Sequence, residues 1–328
     1  MDRPGIVMHP GWTQNLIRAA QAAAGERVLV VVDEPLAAEG GELAAALREH
    51  GAEVRLEFWA APERPMEHAP PGVLEGAAES SLALFLAQKP LGAEASARFE
   101  LASAMSASGR MIYLGLVDRA LLHGELSQPA PDLSAAAEAL LEEVRGSETV
   151  RIRGAAGTDL TLRVGGRPWL TDALPLEPGG FANYPGGEVY VAPHADGADG
   201  VLVADLTVPY TVEGLVDEPV TLRFAAGRVT SIEGGVAAAM LRDLVESAGP
   251  GADVVAELGI GLNPTVSPRG HVMLDEKAAH TAHVAIGRNT GAYGGDNEAT
   301  IHVDMIFSAP ELEVDGRRVE LSSTGKLR

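Results

Sequence analysis

The pattern of apolar residues changes character near residue 147, and that change limits the folds open to this chain more than any single motif does. Before it, β-branched runs alternate with Ala- and Leu-rich stretches at helical spacing. Trp12, Leu16, Ile17 and Ala20 predict a helix within residues 12–24, Arg27 to Pro35 a strand ended by a turn, and Ala37 to His50 a second helix. Further strands are expected at Ala52 to Phe58 and Arg110 to Leu116, with Ser81 to Ala87 a buried strand or a short helix. A helix from Asp132 to Ser147 closes this half, with Asp132 or Ser134 as N-cap and Gly146 past its end. Strands alternating with helices require a parallel or mixed sheet with covered faces. The Pro-, Gly- and Ala-rich stretch from Ala60 to Gly76 reads as an internal loop.

From Glu148 onward short strands come with Gly-rich turns. Thr149 to Trp169 has the form of a hairpin around Ala155 to Thr158, and strand–turn–strand pairs are expected around Ala226-Gly227 and Asp315-Gly316. Strands are also expected at EVYVAP, GVLVADLTV and HVAIG, with one amphipathic helix over Val236 to Ser247. The expected fold class is therefore α/β: an N-terminal α/β domain (1–147) with a parallel or mixed sheet, and a C-terminal, mainly antiparallel, β-rich α+β domain (148–328).

A formal net charge of −21, from 46 acids against 25 bases, argues against a nucleic-acid or anionic-membrane partner. The absence of cysteine rules out disulfides and thiolate metal sites and fits a reducing compartment. The opening MDRPGIVMHPGW has neither a basic n-region nor an apolar h-region, so a cytoplasmic location is expected.

The chemistry concentrates between Gly251 and Pro310, which hold four of the nine histidines. Carboxylate with imidazole is a ligand set that zinc, cobalt and manganese accept. In IHVD, His302 and Asp304 lie two apart on an expected strand, hence on one face. His283 sits in a second apolar strand, Glu257 opens the Gly-rich segment LGIG, and Glu276 stands in LDEKAAH. Glu188 begins an apolar strand after a Pro-Gly-Gly turn. Taken singly, each has an ordinary reading: a hydrogen-bonded core histidine, a solvated aspartate, a helix-start acid or an exposed strand-start acid. Together they predict a metal site. HExxH, Gly-x-Ser-x-Gly, a P-loop and the dinucleotide fingerprint are all missing, which leaves no support for a zincin, a serine hydrolase, an NTPase or a Rossmann oxidoreductase.

PGGEVYVAP, AELGIGLNP, LDEK, TAHVAIG and IHVDMIF, in this order, resemble the motifs of the aminopeptidase T (AmpS-like) family of metallopeptidases. The resemblance covers the C-terminal half closely and the N-terminal half in general layout. It implies a homodimeric metalloaminopeptidase acting on small peptides with two divalent ions (zinc, cobalt or manganese), in which Glu188, Glu257, His283, His302 and Asp304 are metal ligands. It also implies that Glu276 is a ligand or the general base that takes a proton from a metal-bridging water. The family's tyrosine after the strand histidine falls on Thr290 here, so Tyr293 is the nearest substitute as oxyanion donor, and His280 is an additional candidate near His283. The same motifs resemble the iron-dependent 2,5-dihydroxypyridine 5,6-dioxygenases, whose single ferrous ion sits on two histidines and one aspartate. Those enzymes have a histidine where this chain has Glu257 and lack the acid at Glu188, so acids at both positions favour the two-metal hydrolase. A metal-binding module with a decayed site is the non-enzymatic alternative.

Overall fold

The structure is a computed structural model and describes residues 11–88, 94–173 and 176–321. It divides into two compact units: Met1–Pro131 with Leu174–Pro185, and Asp132–Ala173 with Gly186–Arg328.

In the first unit, β1 (Arg27–Val32), β2 (Glu53–Phe58), β3 (Leu82–Ala87), β4 (Arg110–Gly115) and β8 (Phe181–Asn183) form a sheet in the order β2-β1-β3-β4-β8. Every pairing in it is parallel. α1 (Trp12–Ala19) precedes β1, and the connections carry α2 (Ala37–Glu49), α3 (Pro71–Glu79), α4 (Ala95–Ser108) and α5 (Arg119–His123) in chain order. β3 is buried along its whole length, as a central parallel strand covered on both faces must be, which settles the ambiguity over residues 81–87 in favour of a strand. The stretch expected to be a loop from Ala60 to Gly76 is one only in part. Pro71 opens α3, because its fixed φ and missing N–H suit a first helical position.

This unit also buries a carboxylate. Glu94 accepts from Arg64 Nε and Nη2 at 2.7 and 2.5 Å, from Trp59 Nε1 at 3.2 Å and from the Met66 amide at 3.1 Å. Burial raises its pKa, but these donors outweigh that effect and hold the carboxyl below its ordinary range.

The second unit is antiparallel in every pairing among the described strands. Its larger sheet runs β12 (Arg228–Glu233), β11 (Val220–Ala225), β10 (Ala198–Ala204), β6 (Asp159–Arg163), β5 (Thr149–Arg153), β16 (Glu311–Val314), β17 (Arg317–Val319). Its smaller sheet runs β15 (His302–Ser308), β14 (Thr281–Gly287), β13 (Val255–Gly261), β9 (Glu188–Val191), β7 (Trp169–Thr171). Val150, Ile152, Leu160, Leu162, Leu202 and Leu222 from the first sheet share one core with Val189, Leu258, Ile260, Val284, Val303 and Met305 from the second. α6 (Ser134–Val144) precedes the change of sequence pattern yet belongs to this unit, because Ala137, Leu140, Leu141 and Val144 join that core. α7 (Val236–Ala248) adds Ala237, Ala238 and Leu241. No described helix is long and apolar enough to cross a membrane.

Candidate metal centre

Side chains alternate across a strand, so the core-facing residues of the smaller sheet leave a second face free for chemistry. Glu188 and Tyr190 of β9, Glu257, Gly259 and Gly261 of β13, His283 and Ala285 of β14, and His302 and Asp304 of β15 all point to it. The register makes room for them: Glu188 pairs with Gly261, His283 with Gly259, Glu257 and Asp304 with Ala285, and His302 with Gly287. Each acid and histidine thus has at least one cross-strand neighbour too small to fill the space above the sheet. At Gly259 a Cβ would lie 2.1 Å from Cε1 of His283. At Gly261 it would lie 2.1 Å from the Ala278 carbonyl oxygen, so the segment carrying Glu276 and Lys277 can rest on the strand only because the residue is glycine.

On this face the donor atoms gather into two groups that share one member. Glu188, Glu257 and His283 form the first, and Glu257, His302 and Asp304 the second, with ligand atoms inside each group within 4.8 Å of one another. His283 Nε2 lies 3.5 Å from Glu188 Oε2 and 3.5 Å from Glu257 Oε1. His302 Nε2 lies 3.3 Å from Glu257 Oε2 and 3.2 Å from Asp304 Oδ1. The two oxygens of Glu257 are therefore divided between two imidazoles. These separations are long for hydrogen bonds to ionised groups. They match the spacing of about 3.3–3.4 Å between neighbouring ligands of a tetrahedral ion with bonds of roughly 2.0–2.1 Å. Two further details agree with a cation at this place. Glu188 Oε2 is buried without a hydrogen-bond partner. His302 Nδ1 is 2.6 Å from the Arg288 carbonyl, which makes Nδ1 the donor and leaves the Nε2 lone pair facing the carboxylates.

The electrostatics without a cation are those of a crowded acid cluster. Burial lowers the pKa of His283, but Glu257, Glu188 and Asp304 more than reverse this and push it up to about 9. His302 is likewise raised against its burial by Asp304 and Glu257. Glu188 and Glu276 are raised, chiefly by burial, whereas the imidazoles hold Glu257 below its ordinary range in spite of burial.

Glu276 is placed beside this cluster rather than inside either group. It is the C-terminal cap of the short helix α8 (Val272–Asp275), not a helix-start acid, and is 6% exposed. Tyr293 stacks on His302, with ring centroids 4.8 Å apart and planes at 28°, and meets Tyr190 edge-on at 6.0 Å. Its loop is pinned: Asn289 Nδ2 donates to the Ala256 carbonyl at 3.1 Å, Asn297 Nδ2 to those of Gly251 and Gly287 at 2.9 and 2.6 Å, and Arg167 to the Gly294 carbonyl at 3.1 Å. Burial, followed by the charges of Glu257 and Asp304, raises the Tyr293 hydroxyl pKa, so the phenol keeps its proton. His280 is the one candidate placed elsewhere: it is exposed in a left-handed turn at φ +67°, outside both groups.

Sequence reading missed three residues. Lys277 is fully buried, with Nζ in contact with Glu188 Oε1, 2.9 Å from Asp172 Oδ2 and 3.0 Å from Glu276 Oε1. Asp172, just past β7, also accepts from the amides of Gly187 and Glu188 at 2.8 and 2.9 Å and so fixes where β9 begins. Tyr190 lies two residues beyond Glu188 on the same face.

The model of the family described as NicX, 2,5-dihydroxypyridine 5,6-dioxygenase, matches residues 100–326. Over 201 residues the chain is 27% identical to a 2,5-dihydroxypyridine 5,6-dioxygenase of Pseudomonas putida, covering 57% of this chain and 56% of that one. Over 186 residues it is 30% identical to aminopeptidase AmpS of Bacillus subtilis, covering 49% and 44%. The matches thus span about half the length of these curated relatives. The solved structure of the 2,5-dihydroxypyridine dioxygenase from Pseudomonas putida superposes with a TM-score of 0.75 at 19% identity, over 95% of this chain and 94% of that one, a likeness of fold.

Proposed function

Within the 2,5-dihydroxypyridine 5,6-dioxygenase family, to which this chain belongs, we propose that it acts as a metal-dependent aminopeptidase, removing the N-terminal residue of small peptides. The observation that carries this reading is the divided carboxylate of Glu257, one oxygen toward His283 and the other toward His302. It gives two donor sets with a shared member, as a pair of ions requires. The charge count agrees. With Asp172, Glu188, Glu257, Glu276 and Asp304 ionised and both imidazoles neutral, as metal ligands must be, five negative charges stand against the one positive charge of Lys277, and two divalent cations balance the remaining four.

Glu188, Glu257 and His283 would hold one ion and Glu257, His302 and Asp304 the other. When bound, such ions lower the pKa of the attacking water and polarise the scissile carbonyl. Glu276 accepts the proton that this water loses as its oxygen bonds to the carbonyl carbon. It returns that proton to the amine nitrogen as the C–N bond breaks, a role suited to a carboxyl whose pKa burial has raised. Tyr293, held over His302 and kept protonated, donates its O–H to the oxygen of the tetrahedral intermediate. The surrounding acids attract the substrate's free α-ammonium group, which directs attack to the first residue.

One observation favours a second reading. Glu257, His302 and Asp304 by themselves form a three-member donor set for a single ion, the ion count of a ferrous dioxygenase, although Glu257 stands where such a centre has its second histidine. Metal-loaded protein incubated with aminoacyl p-nitroanilides and short free peptides separates the two. The aminopeptidase reading expects about two ions per chain and release of the first amino acid, with turnover falling about 10²–10⁴-fold in Glu276→Gln. One ferrous ion per chain, with oxygen uptake on 2,5-dihydroxypyridine and no peptide cleavage, would establish the dioxygenase instead.

A further inference from the structure

Lys277 does not serve as a surface charge. Its side chain is fully buried and its ammonium group faces three carboxylates: Glu188 Oε1 in contact, Asp172 Oδ2 at 2.9 Å and Glu276 Oε1 at 3.0 Å. Three N–H donors thus meet three acids from three separate parts of the chain: the end of β7, the start of β9 and the cap of α8. Amides of Gly187 and Glu188 hold Oδ1 of Asp172, and the ammonium is the partner that its buried Oδ2 meets. Removing Lys277 would leave three convergent carboxylate oxygens on rigid elements, and that is a hard-cation site in all but occupant.

We propose that Lys277 is a positioning residue whose ammonium group stands in place of a third cation. This inference rests on the two-ion reading of the neighbouring groups and assigns a different task to the carboxylates behind them. By occupying Oε1 of Glu188, Lys277 leaves only Oε2 to face His283, so Glu188 offers its ion one oxygen rather than two. By engaging Oε1 of Glu276, it fixes the orientation of the proposed base. It also keeps further divalent ions out of a pocket whose acids would otherwise attract them. Few ligands and mixed nitrogen and oxygen donors suit zinc, cobalt or manganese, whereas the all-oxygen trio behind Glu188 suits calcium.

The test is calcium uptake by the full chain already saturated with zinc, measured by equilibrium dialysis and elemental analysis on wild type, Lys277→Ala and Lys277→Arg. Calcium–oxygen bonds are about 2.3–2.6 Å long, so the three oxygens need close in by only roughly half an ångström. The expected result is one more calcium per chain in Lys277→Ala than in wild type, and no extra ion in Lys277→Arg, which keeps the charge. Equal calcium content in all three proteins overturns the proposal. If Lys277→Ala unfolds in the absence of calcium, thermal melts read the same property. Folding restored by calcium in this variant, with wild type indifferent to it, supports the proposal, and a variant unfolded with and without calcium overturns it. A wild type that takes up no zinc, cobalt or manganese defeats the two-ion reading, while the calcium difference between variant and wild type can still be read.

Discussion

Glu94 in the first unit and Glu257 in the second are both carboxylates withdrawn from water, and they are treated in opposite ways. Glu94 is saturated: a bidentate arginine, an indole N–H and a backbone amide take up both oxygens at hydrogen-bonding distance. Glu257 faces two imidazoles at 3.5 and 3.3 Å, with a buried, unpartnered oxygen of Glu188 nearby. A buried charge completed by its own chain is structure, because nothing remains for a ligand to satisfy. A buried charge held among groups spaced too widely to complete it has been kept for something else. The contrast locates the site more sharply than burial does, since both residues are almost wholly inaccessible.

The largest effect should come from Glu257→Gln. An amide cannot offer two anionic oxygens, so both ions should be lost together and peptidase turnover should fall by roughly 10³-fold; retention of one full ion in elemental analysis would break the shared-ligand assignment. Glu94→Ala should destabilise the chain by about 1–3 kcal/mol in urea unfolding, because it takes the acceptor from the buried Trp59 indole and the Met66 amide, yet leave the metal content of the folded protein unchanged. A parallel loss of metal there would erase the distinction between the two regions. Gly259→Ala forces a methyl group into the His283 ring. It should cost about 1–3 kcal/mol of stability and lower metal affinity roughly 10–100-fold, read by competition with a chelating dye.

The saturated carboxylate also predicts a pH dependence. The folded-state pKa of Glu94 lies below the ordinary 4.5, so its contribution is fully present above that value and is lost as the pH falls through the folded value. The stability gap between wild type and Glu94→Gln should therefore be constant near neutrality and close in acid; a gap that widened below pH 4 would reverse the assigned sign. At the small end, the exposed pair Arg151–Asp159 on the larger sheet, with side chains 41% and 48% accessible, should tolerate Asp159→Asn at a cost of about 0.5 kcal/mol or less.

Much of this was legible in the sequence, for identifiable reasons. The change in apolar period separates a unit of parallel strands and helices from an antiparallel one because each architecture imposes its own repeat. His302 and Asp304 could be assigned to one face from their spacing of two, but pairing was needed to bring Glu188 and Glu257 to them, and register across four strands is not written in any one segment. Lys277 escaped notice because a lysine beside a glutamate looks like a solvated pair until a third and a fourth charge arrive from residues far away in the chain. His280 was an additional candidate beside His283. The difference is a left-handed turn that faces it outward.

Strand alternation also determines what can vary without harm. The donors sit within strands rather than on the connections, so a connection can gain or lose residues while the side chains on this face stay put. A slip of one residue along β14 would do the reverse: it would carry His283 to the core side and bring Val284 or Ala282 up in its place. Such a chain could retain both of its sheets and still have nowhere to keep a cation.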